Sequence, residues 1–506
     1  MGRKKGFILS NVMMVFEILS TLLLTPFLIR TLGQAEYGVY KLAASITAYL
    51  LLLDLGVGNA IIRYIAKYRA NKDADSEKKF FGVATVFYFV IAAISVVGGF
   101  VLIGVFPTFF SEGLTAEEIA LGQKLLFFTT LNAAVTMGTS VYANVISAYE
   151  RYAVSKGSAI LQVVLRILLA FGALKLGLGS IGVVVVDLLL TVVCRGFFLF
   201  YVLFGIKLRP VFRGVQFAFI KEIVVYSGWI LVQMIATQIT TSMNQILLGA
   251  FVSGSATIIA VYGVGTQLVQ YFRSIGSSFT GVLMPGVVRL VENGADGKAL
   301  CNEMVRIGRL IFMMLGLILG GFAVFGREFV SLWAGAVNAD AFLVALLLMG
   351  AYLLISTEAI GTQILWAKNE HKEQSLLKLG IVLLNIVLTV VLIKWKPLMG
   401  AALGTFIALV VGDIVVMNIL FAKKLKISLF QYYKGLFNGT LVSLIISTAV
   451  GFVINLIPLA GWLGLALKIA MMCAVYTCSL WLFGMNRYEK GIVLSLLKVK
   501  KKKNKA

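Results

Sequence analysis

Residues 7–69 constrain this chain more than any other stretch. They open as an apolar run, FILSNVMMVFEILSTLLLTPFLI, turn through the polar RTLGQAEYG, and re-enter as VYKLAASITAYLLLLDLGVGNAII before the basic RYIAKYRANK. At about 1.5 Å per helical residue, each run can cross a hydrocarbon core about 30 Å thick. Arginine and lysine flank the start and end of the pair, the bias that marks a cytoplasmic side. The stretch reads as a two-span hairpin that begins and ends in the cytoplasm.

The pattern continues. Apolar runs at 80–106, 125–146, 158–176 and 181–203 complete a first set of six, and a basic connector, GIKLRPVFRGVQFAFIKE, follows. Runs at 223–251, 257–287, 307–325, 341–366, 376–393 and 399–421 make a second six, and 436–457 and 463–483 add two more before a tail ending KVKKKKNKA. The expectation is an all-α integral membrane protein of about fourteen spans. Its parts are an N-terminal six-helix lobe (1–205), a cytoplasmic connector (206–221), a C-terminal six-helix lobe (222–425), two additional helices (426–484) and a basic cytoplasmic tail (485–506). The two lobes would have parallel topology around a central cavity, as repeats related by an axis along the membrane normal do.

Composition excludes the soluble alternatives. With 60% hydrophobic residues, 13% charged and a mean hydropathy of +0.97, a soluble globular chain is ruled out. The net charge of +23 would suit nucleic acid, but the charges lie in loops between apolar runs, where orientation signals lie. Both termini are expected in the cytoplasm, with the lysine tail on anionic lipid headgroups at about 1 kcal/mol per lysine. The first apolar run is too long for a signal-peptide h-region and lacks a small-residue cleavage site, so it is expected to remain in the protein.

Motifs of soluble chemistry lose their meaning in this context. Gly177-Leu178-Gly179-Ser180-Ile181-Gly182 matches the dinucleotide fingerprint, yet it joins two apolar runs and follows no strand, so a tight glycine turn is expected. Asp73-Ala74-Asp75 resembles a metal-holding carboxylate pair in a loop too short for a catalytic domain; a solvated turn is expected, with Asp75 or Ser76 capping the next helix. Cys194, Cys301, Cys473 and Cys478 show no ligand spacing, and His371 stands alone in a charged loop. No catalytic residue, metal site, disulfide or cofactor is expected.

Ionisable residues inside the spans are more telling, because an unpaired charge in lipid costs at least about 2.5–3.5 kcal/mol. They are Glu17, Asp54, Arg166, Asp187, Arg195, Arg273, Glu358, Asp413 and Lys468. Each should face a hydrated interior or find a partner. Arg195 follows Asp187 by eight residues, about 12 Å along a helix, so the two cannot bridge directly and each needs another partner. Asp54 either pairs with Arg63, satisfies backbone freed near Gly56 and Gly58, or takes part in ion coupling. Arg30 stands at the outer end of the first span, where snorkelling to the interface is the default.

Polar residues also form stripes at helical spacing. The seventh span carries Gln233, Thr237, Thr240 and Asn244, the eighth Thr266, Gln270, Arg273 and Ser277, and the first Ser10, Glu17 and Thr21. Interhelical hydrogen bonding explains any one of them at about 0.6 kcal/mol per contact. The whole set points to a hydrated cavity.

Specific segments now carry a resemblance. TPFLIRTLGQAEYGVYKL followed by LLDLGVGNAIIRYIAKYR resembles the opening of the bacterial polysaccharide-transport or oligosaccharide flippase family. ISAYERY, LMPGVVRL, FVSLWAG and PLMGAALGTFIAL extend the likeness to about residue 425. The resemblance implies two six-helix lobes opening alternately inward and outward, within the superfamily that includes multidrug/cation antiporters and lipid II flippases. It implies a polyprenyl-diphosphate-linked oligosaccharide as substrate in the bacterial cytoplasmic membrane, and admits polysaccharide polymerase machinery as a partner. Arg30-Thr31-Leu32-Gly33 and, approximately, Arg273 match arginine positions of the lipid II relatives, whereas further arginines of their first two helices have no counterpart here.

A diphosphate needs cations and sugars need hydroxyl or amide groups; arginine suits the former because its planar fork makes two charge-assisted bonds. The candidate substrate-binding residues are therefore Arg30, Arg166, Arg195, Arg273, Gln233, Asn244 and Gln270. Glu17, Asp54, Asp187, Glu358 and Asp413 are the candidates for proton or sodium coupling. The rival on the same fold, a multidrug/cation antiporter, would want acidic and aromatic residues around a cationic drug. A membrane glycosyltransferase or polymerase would want a sizeable outer loop, and the longest one expected is only about residues 107–124.

Overall fold

In lipid every backbone N–H and C=O must be bonded within the protein, which leaves helices or closed barrels as the spanning structures. The computed structural model describes residues 2–54, 56–212, 218–368, 370–491, 493 and 494, and among these it is helical with no strand. The side chains of residues 2–11, 218–230, 279–285 and 371, and with them Ser10 and His371, lie outside the described set, as do residues 213–217 of the connector and the tail from 495.

The first hairpin appears as α1 (Gly2–Leu50) and α2 (Val57–Ala70). A 49-residue helix would be about 73 Å long, far more than one crossing needs. It breaks at Gly33, whose φ of 78° and ψ of 174° suit only glycine, inside the polar turn RTLGQAEYG. A single 3₁₀ turn (Leu51–Asp54) and left-handed Gly56 then separate α1 from α2. The first half continues with α3 (Ala74–Phe110), α4 (Ala116–Ala148), α5 (Tyr152–Lys175) and α6 (Gly179–Phe200). Next come α7 (Ala218–Phe251), α8 (Ser255–Glu292), α9 (Gly297–Ala334), α10 (Ala341–Thr357), α11 (Ala359–Ala367) and α12 (His371–Ile393). The chain finishes through α13 (Pro397–Ala408), α14 (Met417–Leu425), α15 (Leu429–Phe437), α16 (Thr440–Asn455) and α17 (Gly461–Ser479).

Nine of the described helical stretches are long and apolar enough to cross a membrane, or eleven if the bent pairs α10–α11 and α15–α16 each count as one. The expected count of fourteen is not confirmed by this measure. Large apolar side chains such as Phe89, Val97 and Val101 on α3 stand more than half exposed, as a lipid-facing surface requires.

Helix starts show where sequence reading went wrong by a few residues. Asp73, and neither Asp75 nor Ser76, caps α3: its carboxylate accepts the Ser76 N–H at 3.0 Å, and hydrogen bonds from Ser76 hold its carboxyl below the usual range. Thr115 and Glu118 form a capping box on α4. The glycine turn before α6 has Gly177 and Gly179 at positive φ, and the first-turn N–H of Ser180 donates to the Glu36 carboxylate at 2.6 Å.

The helices group into two compact units, residues 1–263 with 378–405, and residues 264–377 with 406–506. In the first, α2, α3 and α4 share a core that includes Ile61, Ile65, Phe81, Tyr88 and Val145. Backbones touch where glycine allows it. A Cβ on Gly38 of α1 would overlap the Ala256 carbonyl of α8, and one on Gly113 would overlap that of Gly249, while the Ser255 N–H donates to the Gly113 carbonyl at 3.0 Å.

In the second unit α9 is the spine. Arg309, buried at 5% exposure, pairs with Glu489 at 2.7 Å and donates to the carbonyls of Gly435 and Asn438, each at 2.8 Å, and of Gly484. Lys468 of α17 pairs with Glu328 of α9 at 3.1 Å, and the Tyr476 hydroxyl donates to the Met313 carbonyl at 2.7 Å. The last helices are thus fastened to α9 by charge as well as by packing.

The Gly38 contact is testable. Gly38→Ala should lower the melting temperature of the detergent-solubilised protein, at a cost of about 1–3 kcal/mol for overpacking. Gly104→Ala on α3, where nothing lies within 4 Å of the added carbon, should leave it unchanged or raise it slightly. Equal responses would contradict the close backbone approach.

Candidate functional site

The four candidate arginines divide by partner. Arg166 of α5 and Asp187 of α6 form a two-pronged pair, Nε to Oδ1 at 2.6 Å and the second nitrogen to Oδ2 at 2.9 Å. The Tyr40 hydroxyl also reaches Arg166. This is the partner that Asp187 requires in place of Arg195, and it neutralises both residues. Arg195, half-buried on α6, has its guanidinium 5.9 Å from the Phe198 ring centroid. Arg273, half-buried on α8, lies 4.5 Å from the Tyr352 ring centroid. Neither makes an ion pair among the described residues, so each keeps its positive charge on an aromatic face. Arg30 is exposed three residues before the break at Gly33.

Asp54 does not use Arg63. It accepts the Tyr88 hydroxyl of α3 at 2.6 Å, and the Asn144 amide of α4 donates to that hydroxyl at 3.3 Å. Arg195 stands close enough to Tyr88 to act on it electrostatically, so these four residues form one polar cluster in the first unit. Glu17 is exposed on the first arm of α1, with the Thr21 hydroxyl bonded back to its backbone carbonyl at 2.9 Å.

The polar stripe on α7 resolves into two kinds of residue. Thr237 and Thr240 turn their hydroxyls back to carbonyls one helical turn earlier, at 2.8 and 2.9 Å, and Gln233 is half-buried. Asn244 is 1% exposed and engaged with protein. Its amide nitrogen lies 2.6 Å from the Tyr262 hydroxyl, 2.9 Å from the Ala401 carbonyl and 2.6 Å from the Thr405 hydroxyl. Thr389 and Asn385 of α12 complete a network of neutral groups. In this conformation Asn244 ties α7, α8, α12 and α13 together and faces no open space. On α8, Gln270 is exposed one turn from Arg273, and Ser277 bonds back to the Ser274 carbonyl.

A third polar cluster belongs to the second unit. Glu358, 3% exposed, stands at the junction of α10 and α11, which meet at a 42° bend. One carboxylate oxygen accepts the Asn418 amide at 2.8 Å and the Tyr433 hydroxyl. Asp413 is also buried, within the widened π turn Leu409–Val416 between α13 and α14. Among the described residues no group of three or more His, Cys, Asp or Glu side chains could hold a metal ion, and the four cysteines are free.

Several anchoring residues escaped the sequence reading. Arg309 lies within the ninth apolar run, so its position alone signals a buried partner; Glu489 lies past the last span and carries no such signal. Outside the spans, the Tyr149 hydroxyl donates to Glu77 at 2.7 Å beneath the Arg69 guanidinium. Burial, followed by that hydrogen bond, pushes the Tyr149 phenol above its ordinary range.

Comparisons with known proteins agree with the fold. The profile of a family described as polysaccharide biosynthesis protein matches residues 3–291. No curated protein matches the chain by sequence. Among solved structures, the chain is similar to the lipid II flippase MurJ in an inward closed conformation, with a TM-score of 0.73, 14% identity, and coverage of 93% of this chain and 97% of that one. It is also similar to the multidrug transporter DinF-BH of the MATE type in complex with R6G (TM-score 0.58, 18% identity, 85% and 96% covered). A third likeness is to a MOP superfamily transporter from Pyrococcus furiosus (TM-score 0.55, 15% identity, 83% and 97% covered). At these identities the likenesses speak for the fold alone.

The partner assignments separate structural from free cations. Arg166→Ala strands the Asp187 carboxylate and should cost about 1–3 kcal/mol, less than a fully buried pair would because both side chains keep some exposure. Arg195→Ala and Arg273→Ala should each cost under about 1 kcal/mol, the range of a ring contact. Thermal melts of the purified variants check this; equal destabilisation by all three would overturn the division.

Proposed function

Since the chain belongs to the polysaccharide biosynthesis protein family, we propose that it moves polyprenyl-diphosphate-linked oligosaccharide units from the inner to the outer leaflet of the bacterial cytoplasmic membrane, by alternating access. Family and fold are those of multi-pass membrane flippases and transporters, not of catalytic enzymes. The observation that carries the substrate class is the pair of half-buried arginines, Arg195 and Arg273, that retain their charge. A diphosphate is the ligand that repays an uncompensated guanidinium in a weakly hydrated site, through two parallel charge-assisted bonds. Arg30 is exposed and extends the same chemistry, and Gln233 and Gln270 supply amide groups for sugars. Arg166 is already neutralised and serves this role less well; Asn244 would have to leave its present partners first.

Both termini are cytoplasmic, the lobes 1–205 and 222–425 move against each other around the central cavity, and the helices of 426–484 are an addition to them. The basic tail of 485–506 engages anionic lipid headgroups, and polymerase machinery receives the flipped product. Coupling to protons or sodium draws on Glu17, Asp54, Glu358 and Asp413, since Asp187 is committed to Arg166.

A multidrug/cation antiporter is the second reading, favoured by the likeness to MATE-type transporters. It is opposed by the charge of Arg195 and Arg273, which would repel a cationic drug.

Depleting the protein in its native cell, then treating with a membrane-impermeant sugar-cleaving probe, reports which leaflet holds the lipid-linked oligosaccharide. The expected result is inner-leaflet accumulation, reversed by re-expression of the wild type and of Gly104→Ala, with rescue reduced at least tenfold in Arg195→Ala or Arg273→Ala. An unchanged leaflet distribution would remove the flippase reading, and lowered drug accumulation in an efflux-deficient host that expresses the protein would then favour the antiporter.

A further inference from the structure

The bend between α10 and α11 places a carboxylate where regular helix geometry has failed. Glu358 is the residue at the break, and its side chain reaches two other elements of the same unit. Its Oε1 accepts from Asn418 of α14 and from the Tyr433 hydroxyl of α15. The Asn418 amide also donates to the Tyr433 oxygen at 2.8 Å and to the Ile414 carbonyl at 2.6 Å. The other oxygen, Oε2, and the Asn418 Oδ1 are both buried acceptors with no donor. Glu358 and Asn418 are 3% and 4% exposed, so water does not reach them freely.

The neighbouring Asp413 disfavours a second negative charge at this site. Asp413 is close enough for its charge to oppose a charge on Glu358, and Tyr432 and Tyr433 approach from α15, with Cys301 of α9 behind Tyr432. No arginine or lysine pairs with Glu358 among the described residues. A buried ionised carboxylate with only neutral donors on one oxygen is expensive, and an orphaned acceptor adds about 1–3 kcal/mol. A proton on Oε2 removes the charge and turns an orphan acceptor into a donor. A divalent metal would need a denser set of oxygen ligands than one carboxylate and an amide.

We propose that Glu358 is a proton-binding site whose occupancy holds α15 against the α10–α11 bend. With the proton bound, the site is neutral and stays dry behind α15. Without it, the charge must be hydrated, and to admit water α15, nine residues long and followed by Gly439 with a φ of 75°, must shift against the bonds from Arg309 to the Gly435 and Asn438 carbonyls. The closed arrangement therefore binds the proton more tightly than an open one, and by linkage rising pH favours opening. Since α15 leads directly into α16 and α17, proton release would be felt by the last two helices. The coupling role rests on the transporter reading above; the proton site itself does not.

The test uses the full chain in lipid nanodiscs. Infrared difference spectra should show the carbonyl stretch of a protonated carboxylic acid that disappears as pH is raised in the wild type and is missing at every pH in Glu358→Gln. In a version freed of native cysteines, a spin label at Lys434→Cys, an exposed site on α15, should become more mobile over the same pH interval and stay immobile in Glu358→Gln. Tyr433→Phe keeps the carboxyl but removes a donor to its charged form, so the midpoint of the infrared change should move to higher pH. The proposal is overturned if no such band depends on Glu358, if label mobility responds to pH identically in Glu358→Gln, or if the Tyr433→Phe midpoint does not move. A sodium-dependent rise in melting temperature that Glu358→Gln abolishes, with no protonated band, would assign the site to a metal cation instead. None of these readouts needs a substrate, so failure of the leaflet experiment and failure of this one are separable.

Discussion

A polar group inside hydrocarbon has no water to fall back on, and the backbone and most of the intramembrane charges of this chain answer to that fact. The backbone answers by being helical. The charges answer by pairing: Arg166 with Asp187, Lys468 with Glu328, Arg309 with Glu489 and three carbonyls. Asp54 answers with a tyrosine hydroxyl, and Asn244 with a closed network of neutral oxygens. Against this background the exceptions carry the information. Arg195 and Arg273 hold their charge on aromatic rings, and Glu358 buries an oxygen that has no hydrogen-bond partner among the described residues.

The same constraint explains why the breaks in the helices matter. A break frees backbone groups, so it persists only where something else bonds them or where a glycine makes the geometry cheap. Gly33 divides α1 into two arms, Gly56 separates the Asp54 turn from α2, and the π turn at Leu409–Val416 re-aims Asp413. Glu358 stands at the 42° bend between α10 and α11. Three of the five acidic residues found inside the spans by sequence lie at or beside such irregularities, where a carboxylate can be held in a geometry that a straight helix would not allow.

Much of the fold was legible because hydropathy is a local property. Runs of apolar residues with basic flanks mark membrane helices without knowledge of any neighbour, and the segments from TPFLIRTLG onward pointed to the family that the profile over residues 3–291 establishes. Span number was less legible, since one continuous helix can contain two crossings and one crossing can be split by a bend. Caps were missed for a related reason. Asp73 outcompeted Asp75 by its backbone conformation, and Glu36 reaches Ser180 from 144 residues away.

The sequence by itself determined that this is an all-α membrane protein, which residues would be costly inside it, and the family to which it belongs. These depend on composition and on spacing along one helix, both of which travel with the chain. Only the tertiary structure decided which charges are spent. Whether a guanidinium meets a carboxylate or an aromatic ring depends on which helix lies beside it, and no spacing within one helix encodes that. Arg166 and Arg195 look alike in the sequence, each a lone cation in an apolar run. Asp187 lies within reach of the first and a full two turns from the second, and that difference turns one into a strut and leaves the other available to a ligand.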